Sequence, residues 1–156
     1  MSLQKLLPIA LCAAPLAAQF DFDLEKRSSA RLGDLLSLEI LGAPGTVPLL
    51  LVPSTTAGPT PLSLVNPGDP RSLSVGIDLL NVTSVLISDA TGTATFSTPL
   101  PNTPTLSGIK FHWQAVELQF GANLVGTLSN DIVTLTGSPD TGVLSPSLLE
   151  LSLIHI

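Results

Sequence analysis

Residues 109–120 read IKFHWQAVELQF, and this stretch, the longest strand candidate in the chain, decides the fold. Ile109, Phe111, Trp113 and Ala115 share one face of an extended segment, whereas Val116, Leu118 and Phe120 share the opposite face. Side chains in a strand alternate with a period of two, so a regular strand with one buried face cannot place both sets in a single core. The pattern predicts a bulge or strong twist near Gln114 to Val116, or a strand covered on both faces.

Outward from this strand, period-two alternation recurs and helical periodicity is hard to find. Across Arg71 to Leu80, Leu73, Val75, Ile77 and Leu79 point one way and Ser72, Ser74, Gly76 and Asp78 the other. Asp34 to Leu41 sets Leu36, Leu38 and Ile40 on one side, and Val47 to Val52 is a short apolar run that suits burial on both faces. Val82 to Ile87 and Thr93 to Thr98 flank Ser88-Asp89-Ala90-Thr91-Gly92, which has the turn residues of a hairpin. Gly121 to Asn130 reads as a loop with room for a short strand, followed by a strand over Asp131 to Thr136. Pro59, Pro61, Pro67, Pro70, Pro99, Pro101 and Pro104 fall in the expected gaps, because a residue without an N–H cannot serve a ladder. The expected fold is all-β, a single β-sandwich of about seven to nine short antiparallel strands over residues 19–137, with an open β-barrel as the alternative.

The first eighteen residues, MSLQKLLPIALCAAPLAA, combine one positive charge at Lys5, an apolar run from Leu6 to Leu16 and small residues at Ala17 and Ala18. That is the grammar of a secretory signal peptide, a helical leader cleaved here between Ala18 and Gln19. The run is too short and too interrupted by Pro8 and Pro15 for a permanent span of roughly 20 apolar residues, and no later stretch qualifies. A secreted or cell-surface location is expected. The single cysteine, Cys12, leaves with the leader, so the mature chain has no thiol, disulfide or cysteine-based metal site. Leu11 sits before Cys12 where a lipid-modification signal wants Gly, Ala or Ser.

Loss of Lys5 leaves five basic against twelve acidic residues, so the formal charge goes from −6 to −7. An acidic surface repels phosphate backbones, which disfavours nucleic acid as a partner. Charged residues make up 12% of the chain beside 14 prolines and 12 glycines, a composition of short strands and tight turns rather than charged disorder or a helical bundle.

Between Leu41 and Gly137 lie LGAPGTVPLLLVPSTTAGPTPL, SDATGTATFSTPLPNTPTLSGIKFHWQAVEL and LSNDIVTLTG. Gly58 to Leu62 form a Gly-Pro-Thr-Pro-Leu turn, Pro101 to Gly108 a Pro-Asn-x-Pro-x-Leu-x-Gly step, and Trp113, Gln114 and Ala115 an aromatic-x-Gln-Ala strand after Phe111. In this order they resemble a β-rich module of secreted proteins of unknown function in planctomycetes and related bacteria. The resemblance implies an exported β-domain, often near the end of larger surface proteins, and carries over no catalytic residue. The chain departs from that pattern by continuing past Gly137.

Chemistry-bearing residues are sparse. His112 is the only histidine before His155, so a histidine-dependent triad must use it. No Gly-x-Ser-x-Gly elbow accompanies it, and an imidazole on a sheet surface or edge is the plainer reading. The twelve acids are too scattered to nominate a glycosidase pair, so no catalytic residue and no cofactor are assigned. Asp21, Asp23 and Glu25 alternate in FDFDLE and would align on one face as a weak calcium site; the alternative is a solvated strand face with Phe20, Phe22 and Leu24 inward. Trp113 with Phe111, and His112 beside it, invites a sugar-stacking reading, against which stands the usual place of a lone Trp in a core. GANLVG at 121–126 lacks the Lys-Ser/Thr of a phosphate loop. Asn81-Val82-Thr83 fits a glycosylation sequon, relevant only in a host with that machinery.

Residues 138–156 form a tail of looser pattern ending in LSLIHI at 151–156. The two readings of that ending are a translated sequencing adapter and a genuine last element with Leu148, Leu149, Leu151, Leu153 and Ile154 packed on the sandwich. The functional expectation is a non-enzymatic surface β-module with a structural or interaction role, its partner a cell-surface polymer or another surface protein. A carbohydrate-binding module using Trp113 and His112 is the alternative, and a hydrolase a more distant one.

Overall fold

The computed structural model describes residues 21–121 and 123–137. The predicted leader, residue Phe20 and the tail from 138 onward lie outside them. Among the described residues nine strands run in chain order as β1 (Asp23–Lys26), β2 (Leu35–Leu41), β3 (Pro48–Ser54), β4 (Ala57–Pro61), β5 (Ser72–Val75), β6 (Ser84–Ile87), β7 (Ala94–Pro99), β8 (Lys110–Leu118) and β9 (Val125–Leu135). Single 3-10 turns occupy Leu62–Leu64, Leu80–Val82 and Pro104–Leu106. The chain is all-β, and no described helix is long and apolar enough to cross a membrane.

A four-stranded antiparallel sheet, β6-β3-β8-β9, stands between a three-stranded sheet, β1-β2-β7, and the two-stranded hairpin β4-β5. The larger core fills the space toward the three-stranded sheet, where Leu24, Leu36, Leu38 and Ile40 meet Leu49, Leu51, Trp113 and Ala115. A smaller core fills the other side, where Leu62, Leu73 and Val75 meet Val52, Val116, Val125 and Leu128. The alternation of Leu36, Leu38 and Ile40 produces the buried face of β2 as expected. Phe22 and Leu24 likewise turn inward from FDFDLE.

Both expected features of residues 109–120 occur together. β8 is buried on both faces from Trp113 to Glu117, and its register with β9 shifts between Gln114 and Val116 and again between Val116 and Leu118. Trp113 and Ala115 serve the larger core and Val116 the smaller one. Phe120 lies past the strand end and is exposed.

Four expectations change. Pro59 and Pro61, expected in a gap between strands, lie within β4, which pairs on one side with β5 and is an edge strand, the place where a strand tolerates proline. The alternation from Arg71 stops at Val75, because Gly76 donates its N–H to Thr56 O and redirects the chain, leaving Ile77 largely exposed. Val82 to Thr98 is not a hairpin: the turn closes, with Asp89 N–H bonded to Thr93 O, but β6 then pairs with β3 and β7 with β2 in the other sheet. The predicted loop 121–130 is half strand, since β9 begins at Val125. Pro53 sits inside β3 opposite Trp113, beyond the last β6 partner at Leu51, so its missing N–H costs no ladder bond.

Among the described residues the two sheets are joined strand to strand between β1 and β9. Asp21 N–H bonds Leu128 O, Leu24 N–H bonds Asn130 Oδ1 at 2.6 Å, and Asn130 Nδ2 returns a bond to Leu24 O at 3.2 Å. On the opposite side β6 and β7 separate after their turn. Trp113, 7% exposed, closes the larger core against Phe96 and Phe111 and donates its indole N–H to Thr134 Oγ1 at 2.8 Å. Replacing Trp113 by Ala is expected to cost about 3–5 kcal/mol in urea unfolding. Wild-type emission should be blue-shifted and insensitive to acrylamide.

Candidate functional site

The short hairpin β4-β5 covers only part of the outer face of the central sheet, and what it leaves uncovered is an apolar groove of about 240 Å³. Its floor is Leu50, Val52, Val116 and Leu118 from the sheet, and its walls include Leu62, Leu73 and Val125. Leu64, Val65, Ile77, Leu80 and Leu124 line its mouth and are exposed. Thr60 is the only lining residue with a polar side chain, and its hydroxyl already donates to Val75 O at 2.8 Å. Contiguous exposed apolar surface of this kind marks an interaction site, whereas single exposed leucines do not.

Three polar anchors fix the hairpin over the sheet. At one end the Asp78 carboxylate accepts the Thr55 N–H at 3.0 Å and the hydroxyls of Ser54, Thr55 and Thr56. Gly76 is required there because a Cβ would stand 2.1 Å from Thr56 Oγ1 and 2.8 Å from Ser54 Oγ. In the middle, buried Gln114 accepts the Ser74 N–H at 2.8 Å through Oε1 and donates from Nε2 to Ser129 O at 2.8 Å. At the other end Arg71 pairs with Asp69 at 2.7 Å and donates to the carbonyls of Gly126 and Val125.

The residues singled out from the sequence lie elsewhere. Trp113 faces the larger core, so its indole is closed to a sugar ring. His112 is half-buried opposite Ser54 and Val133, and it does not line the groove. Ser54 is fully buried with its hydroxyl committed to Asp78, so the pair does not make a base and nucleophile. Asp21 accepts a long bond from Leu128 N–H at 3.4 Å, Asp23 is exposed, and Glu25 pairs with Arg27 at 2.8 Å. Among the described residues no three acids, histidines or cysteines gather as metal ligands, and Asp21, Asp23 and Glu25, the weak calcium candidates, make no such group. Each acid is engaged separately or faces solvent.

Groove residues escaped the sequence reading because they come from turns and from strands far apart in the chain. The one local signal was LSLV at 62–65, an apolar run between Pro61 and Pro67 that no strand claims. Comparison with protein-family models and with curated proteins finds no match to the chain.

Among the described residues four carboxyls are held below their ordinary range. Asp69 is lowered chiefly by the Arg71 guanidinium, Asp78 by the Ser54 and Thr55 hydroxyls, and Asp89 by Thr91. Burial alone would raise Glu117, but the Thr127 hydroxyl and N–H and the Gln119 amide outweigh it. A carboxyl depressed by folding stabilises the native state above its unfolded pKa of about 4, and that contribution disappears as pH falls through the folded value. The urea midpoint should therefore hold level from neutral pH to about pH 5 and fall progressively below about pH 4. A midpoint that rises on acidification contradicts this assignment, and Asp78→Asn should flatten the decline.

Proposed function

We propose that the chain is an exported, non-enzymatic interaction module whose groove receives aliphatic side chains of another surface protein. The observation that carries this reading is the groove itself: an apolar floor, no free polar side chain in its lining, and a mouth ringed by exposed aliphatic residues. At about 30 Å³ for a group the size of water or a methylene, it holds roughly eight such groups, the bulk of two leucine side chains. The breadth of apolar surface around the mouth favours a protein over a fully enclosed small ligand, since interface anchors seat in pockets surrounded by contacts that exclude water.

A sugar gains little here. Each hydroxyl buried without a partner costs about 1–3 kcal/mol, and the buried Trp113 offers no stacking face. Nor do the described residues favour a hydrolase reading: His112 does not line the groove, and the Ser54 hydroxyl donates its hydrogen bond to Asp78. Export is supported by the charged, apolar and small-residue segments of residues 1–18 and by the resemblance to the planctomycete-type secreted module.

Amide-shift mapping with millimolar N-acetyl-Leu-Leu-amide tests the reading, with an N-acetylglucosamine oligomer as the contrasting probe. The dipeptide should move amides of Leu64, Leu80, Val116 and Leu124 and leave the larger core unchanged. Leu64→Asp should weaken that binding about tenfold, in line with about 1.5–3 kcal/mol for a buried leucine. Shifts from the sugar with none from the dipeptide would overturn the proposal.

A further inference from the structure

The edges of the sheets are treated unequally. Edge strands present unpaired N–H and C=O groups, and natural proteins protect them with charge, proline, bulges or cover. β1 carries Asp23, Glu25 and Lys26 and is joined to β9 through Asn130. β7 ends in Pro99, β4 contains Pro59 and Pro61, and the Ser74 N–H of β5 is taken by Gln114. Among the described residues β6 has none of these protections: it pairs with β3 alone, and residues 79–88, LLNVTSVLIS, contain no charge and no proline.

Its register defines what the open edge offers. Ser88 N–H bonds Val47 O, Pro48 opposes Ile87, and Leu50 opposes Val85. Because bonding alternates along an antiparallel pair, Ser88, Leu86 and Ser84 direct their main-chain groups to β3, while Val85 and Ile87 direct theirs outward. The side chains of Val85 and Ile87 are 63% and 71% exposed, on the face shared with Leu50, while Leu86 packs on the larger core. Two β-branched residues thus combine open main-chain groups with open apolar side chains.

We infer that β6 pairs antiparallel with β6 of a second copy of this chain, about a two-fold axis through Leu86. In that register Val85 faces Ile87 of the second copy as a hydrogen-bonded pair, and the reverse pair follows by symmetry. The four exposed β-branched side chains then form one apolar cluster on the outer face. Charge favours self-pairing at this place: a chain of net charge −6, or −7 without residues 1–18, meets its copy across a ten-residue segment with no charge, so like-charge repulsion is small there. Asp89 stands opposite Thr83 of the second copy and meets no carboxylate in this register.

Sedimentation of the exported chain at about 100 μM should give a dimer. Val85→Lys should weaken association at least tenfold, and Ile87→Pro should do the same by removing an N–H that β3 does not use. Both variants should keep the wild-type far-ultraviolet spectrum and the dipeptide response of the groove, which neither residue lines. A wild-type monomer at that concentration, or a dimer that survives both substitutions, overturns the proposal without touching the groove reading.

Discussion

β8 carries apolar side chains on both faces, and a strand of that kind is stable only if something covers each side. Trp113 and Ala115 require the three-stranded sheet; Val116 requires the hairpin β4-β5. Plain alternation along β8 sends Trp113 and Ala115 to one core and Val116 to the other, while the two register shifts place their extra residues in β9, which advances from Asp131 to Leu128 to Val125 as β8 advances from Gln114 to Val116 to Leu118. Gln114, at the changeover, is the one buried amide that ties the hairpin to the sheet, linking Ser74 on one side to Ser129 on the other. A buried amide left without partners costs about 1–3 kcal/mol, so its position specifies where the hairpin must sit.

The groove follows from that constraint. β5 is four residues long and β4 five, too short to roof a four-stranded sheet, and the chain between them and after β5 runs through 3-10 turns. Leu50 and Leu118 are left as floor, and Leu64, Ile77, Leu80 and Leu124 as rim. The polar anchors at Asp78 and Arg71 lie at the two ends of the hairpin, so the apolar interval between them is held open by groups that do not line it.

Alternation was readable wherever burial is decided within one strand, as in Leu36, Leu38 and Ile40, and the conflict within residues 109–120 announced a strand with two cores. What a strand pairs with is decided elsewhere. Ser88 to Gly92 has hairpin chemistry and forms its turn, yet the apolar Leu86 and half-buried Phe96 attach to opposite sheets of the sandwich, and tertiary packing overrides the local signal. Ile77 continues a period-two pattern but follows Gly76, whose backbone is taken by Thr56. The groove was illegible for the same reason: Leu50, Leu80, Val116 and Leu124 converge only after the strands have been ordered. Trp113 was legible as a core residue, and its bond to Thr134 completes that role.

The claim that the second face of β8 is closed by a hairpin pinned through Gln114 is tested most directly by amide hydrogen exchange at Ser74. That N–H has a side-chain acceptor, 40 residues away, in place of a ladder partner. It should exchange as slowly as the amides of β3 and β8, through global unfolding, and become fast in Gln114→Leu while the β2 amides stay protected. Rapid exchange of Ser74 in the wild-type protein, with β3 and β8 fully protected, would show that the hairpin is not held and would contradict the account.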